Sequence, residues 1–177
     1  TCALPISLFR CDLVGSRFEG CKLVAVSVVE CSADGASFAG SDAPVSNWLR
    51  CSLGGASFEG VNLDRANVVE STLEETNLTR ANLDRGTFYK LDMATTVLDG
   101  ANLSLTTFVE TNLGARGFAG AKLFRTQFMR GSVAGSVFAG CDATQCNFTG
   151  VDIAGCDFTD AVLTQALFGD AHGDRAL

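Results

Sequence analysis

Eight cysteines and a single histidine are the residues of this 177-residue chain best able to do chemistry. Cysteines separated by two residues make zinc or redox sites, and a cysteine or serine beside a histidine makes an activated nucleophile. Neither arrangement is present. No Cys-x-x-Cys occurs, and His172 stands alone near the C-terminus, beyond the last regular repeat. Seven cysteines (Cys11, Cys21, Cys31, Cys51, Cys141, Cys146 and Cys156) instead fall at positions ending in 1 or 6, where Ala, Ser and Thr are otherwise found. A side chain that interchanges with Ala, Ser and Thr reads as core packing rather than as a metal ligand. Reduced thiols, no metal, no cofactor and no catalysis are therefore expected, as is a cytoplasmic setting.

The elements that hold these cysteines follow from a period of five. At the 34 positions ending in 3 or 8, from Ala3 to Phe168, every residue is apolar, and 11 of the 13 Phe stand there. Positions ending in 1 or 6 are small, with Ile6, Leu91 and Arg116 as exceptions. Five matches neither a helix at 3.6 nor a flat strand at 2. One small and one large inward residue per five describe a short extended side followed by a turn, and such sides stack into a solenoid. Gly at 20, 40, 60, 100, 120 and 140, and Cys11, Cys31 and Cys51, recur at 20, so four sides close a coil and the chain makes about 8.5 coils. Stacked cysteines would sit one strand spacing apart, wider than the ~3.8 Å between Cβ atoms of a disulfide.

Segments ANLDR (81–85), ANLSL (101–105), ASFEG (56–60), CNFTG (146–150) and CDFTD (156–160) resemble the pentapeptide-repeat family, with its A(D/N)LXX consensus. The resemblance covers residues 1–170 and leaves 171–177 as a short irregular tail. It implies an all-β solenoid, a right-handed quadrilateral β-helix, in a non-catalytic role. Coils stacked at ~4.8 Å would make a rod roughly 40 Å long. Two local irregularities are expected. Gly114 and Gly117 flank Arg116 and predict a bulge turning its side chain to solvent, since a buried unpaired guanidinium is very costly. Pro44 near Trp48 predicts a departure on the third coil.

Composition narrows the function. The net charge of −7 and pI near 4.6 argue against direct nucleic-acid or membrane-surface binding. Apolar runs are too short to span a bilayer, and no signal peptide is visible. Thr1 in place of Met predicts that the chain is an excerpt of a longer protein, and neither Thr1–Pro5 nor Ala171–Leu177 resembles a capping helix.

With the core assigned, function falls to the outward second, fourth and fifth residues. We name the sides by position in each 20: face A holds 1–5, face B 6–10, face C 11–15 and face D 16–20. Face C carries −6 of the −7, through Asp12, Asp34, Glu74, Glu75, Asp92, Asp152 and Asp174 against Arg175. Topoisomerase-protecting members of the family are acidic rods that imitate DNA, so the resemblance implies a DNA-mimic alternative engaging a type II topoisomerase such as DNA gyrase. The dimerising C-terminal helix of that branch has no counterpart here. A further alternative is an accessory repeat domain of a larger protein, such as a secretion-system component.

Face B is more ordered. Its fifth column alternates strictly: Arg10, Glu30, Arg50, Glu70, Lys90, Glu110, Arg130. Its fourth column is apolar in an outward slot: Phe9, Val29, Leu49, Val69, Tyr89, Val109, Met129. The second column, from Ser7 to Asn147, is polar and uncharged. A contiguous exposed apolar strip marks an interaction surface. The leading expectation is a scaffold that binds a protein partner through face B, or pairs with itself as a homodimer. The charge column is nearly symmetric about Glu70, so antiparallel copies offset by one coil would set Arg against Glu.

Overall fold

A computed structural model describes residues 6–173, and within them all regular structure is extended, with no helix. Seven three-residue strands recur every 20 residues on face B: β1 Ser7–Phe9, β2 Ser27–Val29, β3 Asn47–Leu49, β4 Asn67–Val69, β5 Thr87–Tyr89, β6 Thr107–Val109 and β7 Gln127–Met129. They form one parallel sheet in sequence order, each residue paired with the residue 20 further on. Faces A, C and D carry isolated parallel bridges at the same interval, such as Lys22–Asp42, Ser32–Ser52 and Ser37–Ser57. Four ladders at one period make a four-sided β-solenoid. The coil count differs slightly from the expected 8.5: the named strands span six turns from β1 to β7, and bridges alone continue the stacking to His172, which pairs with Asp152. His172 is thus held in the stack, not beyond it. Residues 1–5 and 174–177, including Asp174 and Arg175, lie outside the described residues.

The five-residue rule has a hydrogen-bond origin. The second residue donates its N–H to the preceding coil (Ser52 to the Cys31 carbonyl, 3.0 Å), while the third and fifth donate to the following one (Leu53 to Thr72, 3.0 Å; Gly55 to Glu74, 2.8 Å). The fourth N–H lies outside the ladder, which is why Pro44 costs no bond. Its coil is regular, correcting the expected departure there. Trp48 fills the ordinary centre slot, edge-on between Phe38 and Phe58 at 5.1 and 5.3 Å. Phenylalanines 20 apart stack face to face, as Phe118 on Phe138 at 4.6 Å, with Phe88 and Phe108 tilted by 32°.

The small slot does more than save space. Its hydroxyls and thiols donate to a carbonyl 23 residues back: Thr76 Oγ1 to Leu53 (2.8 Å), Thr126 Oγ1 to Leu103 (2.8 Å), Cys146 Sγ to Leu123 (2.8 Å). A side chain too large for the slot disturbs the stack. Leu91 is buried in a face C slot, and beside it no bridge joins Thr72 to Asp92. Arg116 occupies a face D slot, and beside it none joins Val97 to Gly117. The expected bulge is present, with Gly114 at φ +54, but the Arg116 side chain is half-buried rather than free in solvent. Its Nε donates to the Ala94 carbonyl at 2.5 Å, which gives that N–H a partner within the fold. A third gap, Lys122 to Asp142, has no oversized residue beside it and nothing in the structure explains it. The three gaps lie 25 residues apart, one coil plus one face, and trace a diagonal seam across faces C, D and A. Face B alone is unbroken among the described residues.

Candidate functional site

Parallel register brings the seven outward residues of the fourth column into one line, Phe9 beside Val29, Val29 beside Leu49, and so on to Met129. Phe9 and Met129 at its ends are exposed (58% and 43%), and the five between are half-buried against one another. The backbone has no freedom to turn them inward, because Leu8, Val28, Trp48, Val68, Phe88, Phe108 and Phe128 already fill the core side of each strand.

Beside the strip, all seven fifth-column residues hold left-handed backbone, with φ between 49 and 53°. Each non-Gly residue in that region costs on the order of 1 kcal/mol. Elsewhere glycine often takes this corner, but on face B only charged side chains do, up to Arg130. Four of the six neighbour pairs close as ion pairs: Arg10–Glu30 at 2.7 Å, Arg50–Glu30 at 2.7 Å, Lys90–Glu70 at 3.9 Å and Arg130–Glu110 at 3.4 Å. Arg50 with Glu70, and Lys90 with Glu110, form none. The Arg10 guanidinium hydrogen-bonds Glu30 and holds its carboxyl below the usual carboxylate range. Arg10 also lies 4.7 Å over the Phe9 ring, and Lys90 5.2 Å over Tyr89. The second column is tied by amide stacking, with Asn67 Nδ2 donating to Asn47 Oδ1 at 2.9 Å.

Face C is built differently. Asp12, Glu74, Glu75 and Asp92 are exposed, while Asp34 and Asp152 are half-buried. Four of these carboxylates already serve the fold. Asp34 Oδ1 accepts from Ser52 Oγ (2.5 Å) and the Gly54 amide (2.7 Å), and Asp92 from the Ala94 amide (3.1 Å) and Asn112 Nδ2 (3.1 Å). Asp12 and Asp152 accept from the amides of Val14 (3.2 Å) and Ala154 (3.0 Å). Glu74 and Glu75 make no such bond among the described residues. Where the seam opens, an open depression of about 600 Å³ lies between Ser71–Glu74 and Asp92–Thr95. The Glu75 amide there donates to Thr95 Oγ1 (2.9 Å) instead of a ladder carbonyl. Sequence reading missed this feature, although Leu91 in a small slot was its signal.

Burial raises the thiols of Cys51, Cys141 and Cys156 and pushes Cys146 up to about 12. Cys21 is exposed, which corrects its placement with the core, while Cys11 is half-buried and packs against the core; both sit in the outermost described coils. Among the described residues no three His, Cys, Asp or Glu side chains are grouped to hold a metal, and no helix is long and apolar enough to cross a membrane.

A sequence model of pentapeptide repeats matches residues 51–88, 76–114 and 132–170, in eight copies. Among solved structures, a trypsin-treated variant of QnrB1, a plasmid-mediated fluoroquinolone resistance protein, superposes with a TM-score of 0.63 at 15% identity, covering 96% of this chain and 90% of that one. Full-length QnrB1 gives 0.56 at 15%, covering 96% and 94%. HetL, a pentapeptide repeat protein involved in heterocyst differentiation regulation in the cyanobacterium Nostoc, gives 0.39 at 21%, covering 93% and 87%. At these identities the likeness is one of fold. Comparison with curated protein sequences finds no match.

Proposed function

Since the chain belongs to the pentapeptide-repeat family, we propose that it is a non-catalytic β-helical scaffold whose binding face is face B. One observation carries this reading: face B alone combines an unbroken ladder with a continuous outward apolar strip. Burying Phe9, Leu49, Tyr89 and Met129 against a partner would contribute roughly 1.5–3 kcal/mol each before ordering costs. The polar second column supplies hydrogen bonds at the rim, and the alternating charges select a partner of matching register. The test is fluorescence of an apolar dye with dilute protein. Wild type binds the dye, a Leu49→Glu, Tyr89→Glu double variant does not, and Glu74→Lys, Glu75→Lys on face C leaves binding unchanged. Equal dye binding by all three would remove the reading.

A second reading, a DNA mimic engaging a type II topoisomerase through face C, is favoured by one fact: that face has no Lys or Arg among the described residues. Against it, duplex DNA carries a charge every ~1.7 Å, and four of the six carboxylates are already bonded within the fold. Inhibition or protection in a supercoiling assay, abolished by Glu74→Lys, Glu75→Lys and Asp92→Lys together, would support it. No effect across a wide protein range would end it.

A further inference from the structure

Resting on the reading of face B as the binding face, we propose that its partner is a second copy of this chain, laid antiparallel and offset by one coil, with the twofold axis between Arg50 and Glu70. When two rods meet face to face about an axis along the strands, each column meets its own copy. Without an offset, like charges meet along the whole ladder, Arg10 against the partner's Arg130 and Glu30 against the partner's Glu110. With the offset, every contact is between opposite charges: Arg10 meets the partner's Glu110, Glu30 the partner's Lys90, and Arg50 the partner's Glu70. The apolar column then sets each large side chain on a valine. Phe9 meets the partner's Val109, Tyr89 the partner's Val29, and Leu49 the partner's Val69. A self-complementary surface of this kind is what an isologous contact requires.

An offset in the other direction also pairs charges, about an axis between Glu70 and Lys90. Two observations select the first. Glu70 and Lys90 already pair within the chain at 3.9 Å, whereas Arg50 and Glu70 form no ion pair with each other, Arg50 being joined instead to Glu30 at 2.7 Å. The first offset also covers Phe9, the most exposed apolar side chain of the strip, and leaves Met129 outside. A strip of about 30 by 13 Å buries on the order of 400 Å² per copy, below a standard interface. The dimer is accordingly weak and salt-sensitive, forming at high micromolar concentration.

Sedimentation equilibrium over a wide concentration range tests this. Wild type should dimerise reversibly. Glu70→Arg alone and Arg50→Glu alone each set like charges across the axis twice and should weaken dimerisation by at least about tenfold. Mixing the two single variants, or joining both changes in one chain, restores opposite charges and should recover wild-type affinity to within about threefold. Rescue on mixing also shows that both single variants are folded. A double variant weaker than either single, with no rescue, overturns the register. A wild type that stays monomeric while still binding apolar dye when dilute overturns self-pairing but leaves face B as a binding face. A monomer that binds no dye removes both.

Discussion

Faces B and C are made of the same five-residue unit and respond oppositely to stacking. On face B the slots behind the strands hold Ile6, the first described residue, and then Val26, Ser46, Ala66, Gly86, Thr106 and Thr126, and the ladder runs unbroken from β1 to β7. On face C the corresponding slots hold Cys31, Cys51, Ser71 and then Leu91, and the ladder opens beside that leucine. Inside the stack, where a slot is a single strand spacing tall, the oversized Leu91 coincides with an opened ladder, whereas Ile6, exposed at the outermost described coil, leaves the Ser7–Ser27 pairing intact. Surface character divides the same way. Face B puts its charge into alternating neighbours and leaves an apolar line, while face C carries carboxylates without basic neighbours among the described residues and spends Asp12, Asp34, Asp92 and Asp152 on backbone amides. A repeat fixes the scaffold, and departures from it decide which side stays smooth.

The largest effect should erase the difference between the faces, because both share one core. Phe128→Ala, behind face B, is expected to cost about 3–5 kcal/mol, read from denaturant midpoints. A cost under about 1 kcal/mol would mean that the stacked rings are not the core. A similar loss is expected for Phe138→Ala behind face D.

Next in size is the alkaline limit. Burial raises Cys146 from about 9 to about 12, so the folded state holds that proton more tightly than the unfolded chain. The stabilisation is whole below about pH 9 and drains away as pH rises toward 12. Thermal midpoints should fall over that window, and less so in Cys146→Ser. In thiol labelling at neutral pH, Cys21 should react first among the described cysteines and Cys146 only on unfolding.

Amide exchange sharpens the comparison directly. Leu73 and Asp92 lack ladder carbonyls at the seam, whereas the Glu70 and Lys90 amides donate to Tyr89 and Val109 at 3.0 Å. The seam amides should exchange on the order of 100-fold faster. The smallest effect is Leu91→Thr, which removes buried apolar surface but restores a slot-sized donor. Its net cost should stay under about 1 kcal/mol, well below the usual 2–5 for truncating a buried leucine, with slower exchange at Leu73 and Asp92. An ordinary leucine penalty with unchanged exchange would separate the seam from Leu91.

The fold was legible because hydrogen bonding forces the period: whichever residue fills a centre slot, its N–H must reach the next coil, so Phe, Leu, Met93 and Trp48 all appear at numbers ending in 3 or 8. The face B columns were legible for the same reason, since register alone aligns them. What the sequence did not disclose was the response of the stack to misfits. Arg116 was visible as an exception, but its bond to the Ala94 carbonyl depends on the bulge that its own size creates. Nor could alternation in sequence tell which neighbours pair: side-chain reach closes Arg10–Glu30–Arg50 and leaves Arg50 and Glu70 apart. Cys21 looked like its stacked equivalents until its position at the edge of the described coils exposed it.

Hydroxyl-radical footprinting of dilute and concentrated wild-type protein tests face B as the working face most directly. The account expects Phe9 and Tyr89 to lose reactivity as concentration rises, with Met129 and the exposed Val14 of face C unchanged. Protection appearing on face C, or spread evenly over all four faces, would contradict it.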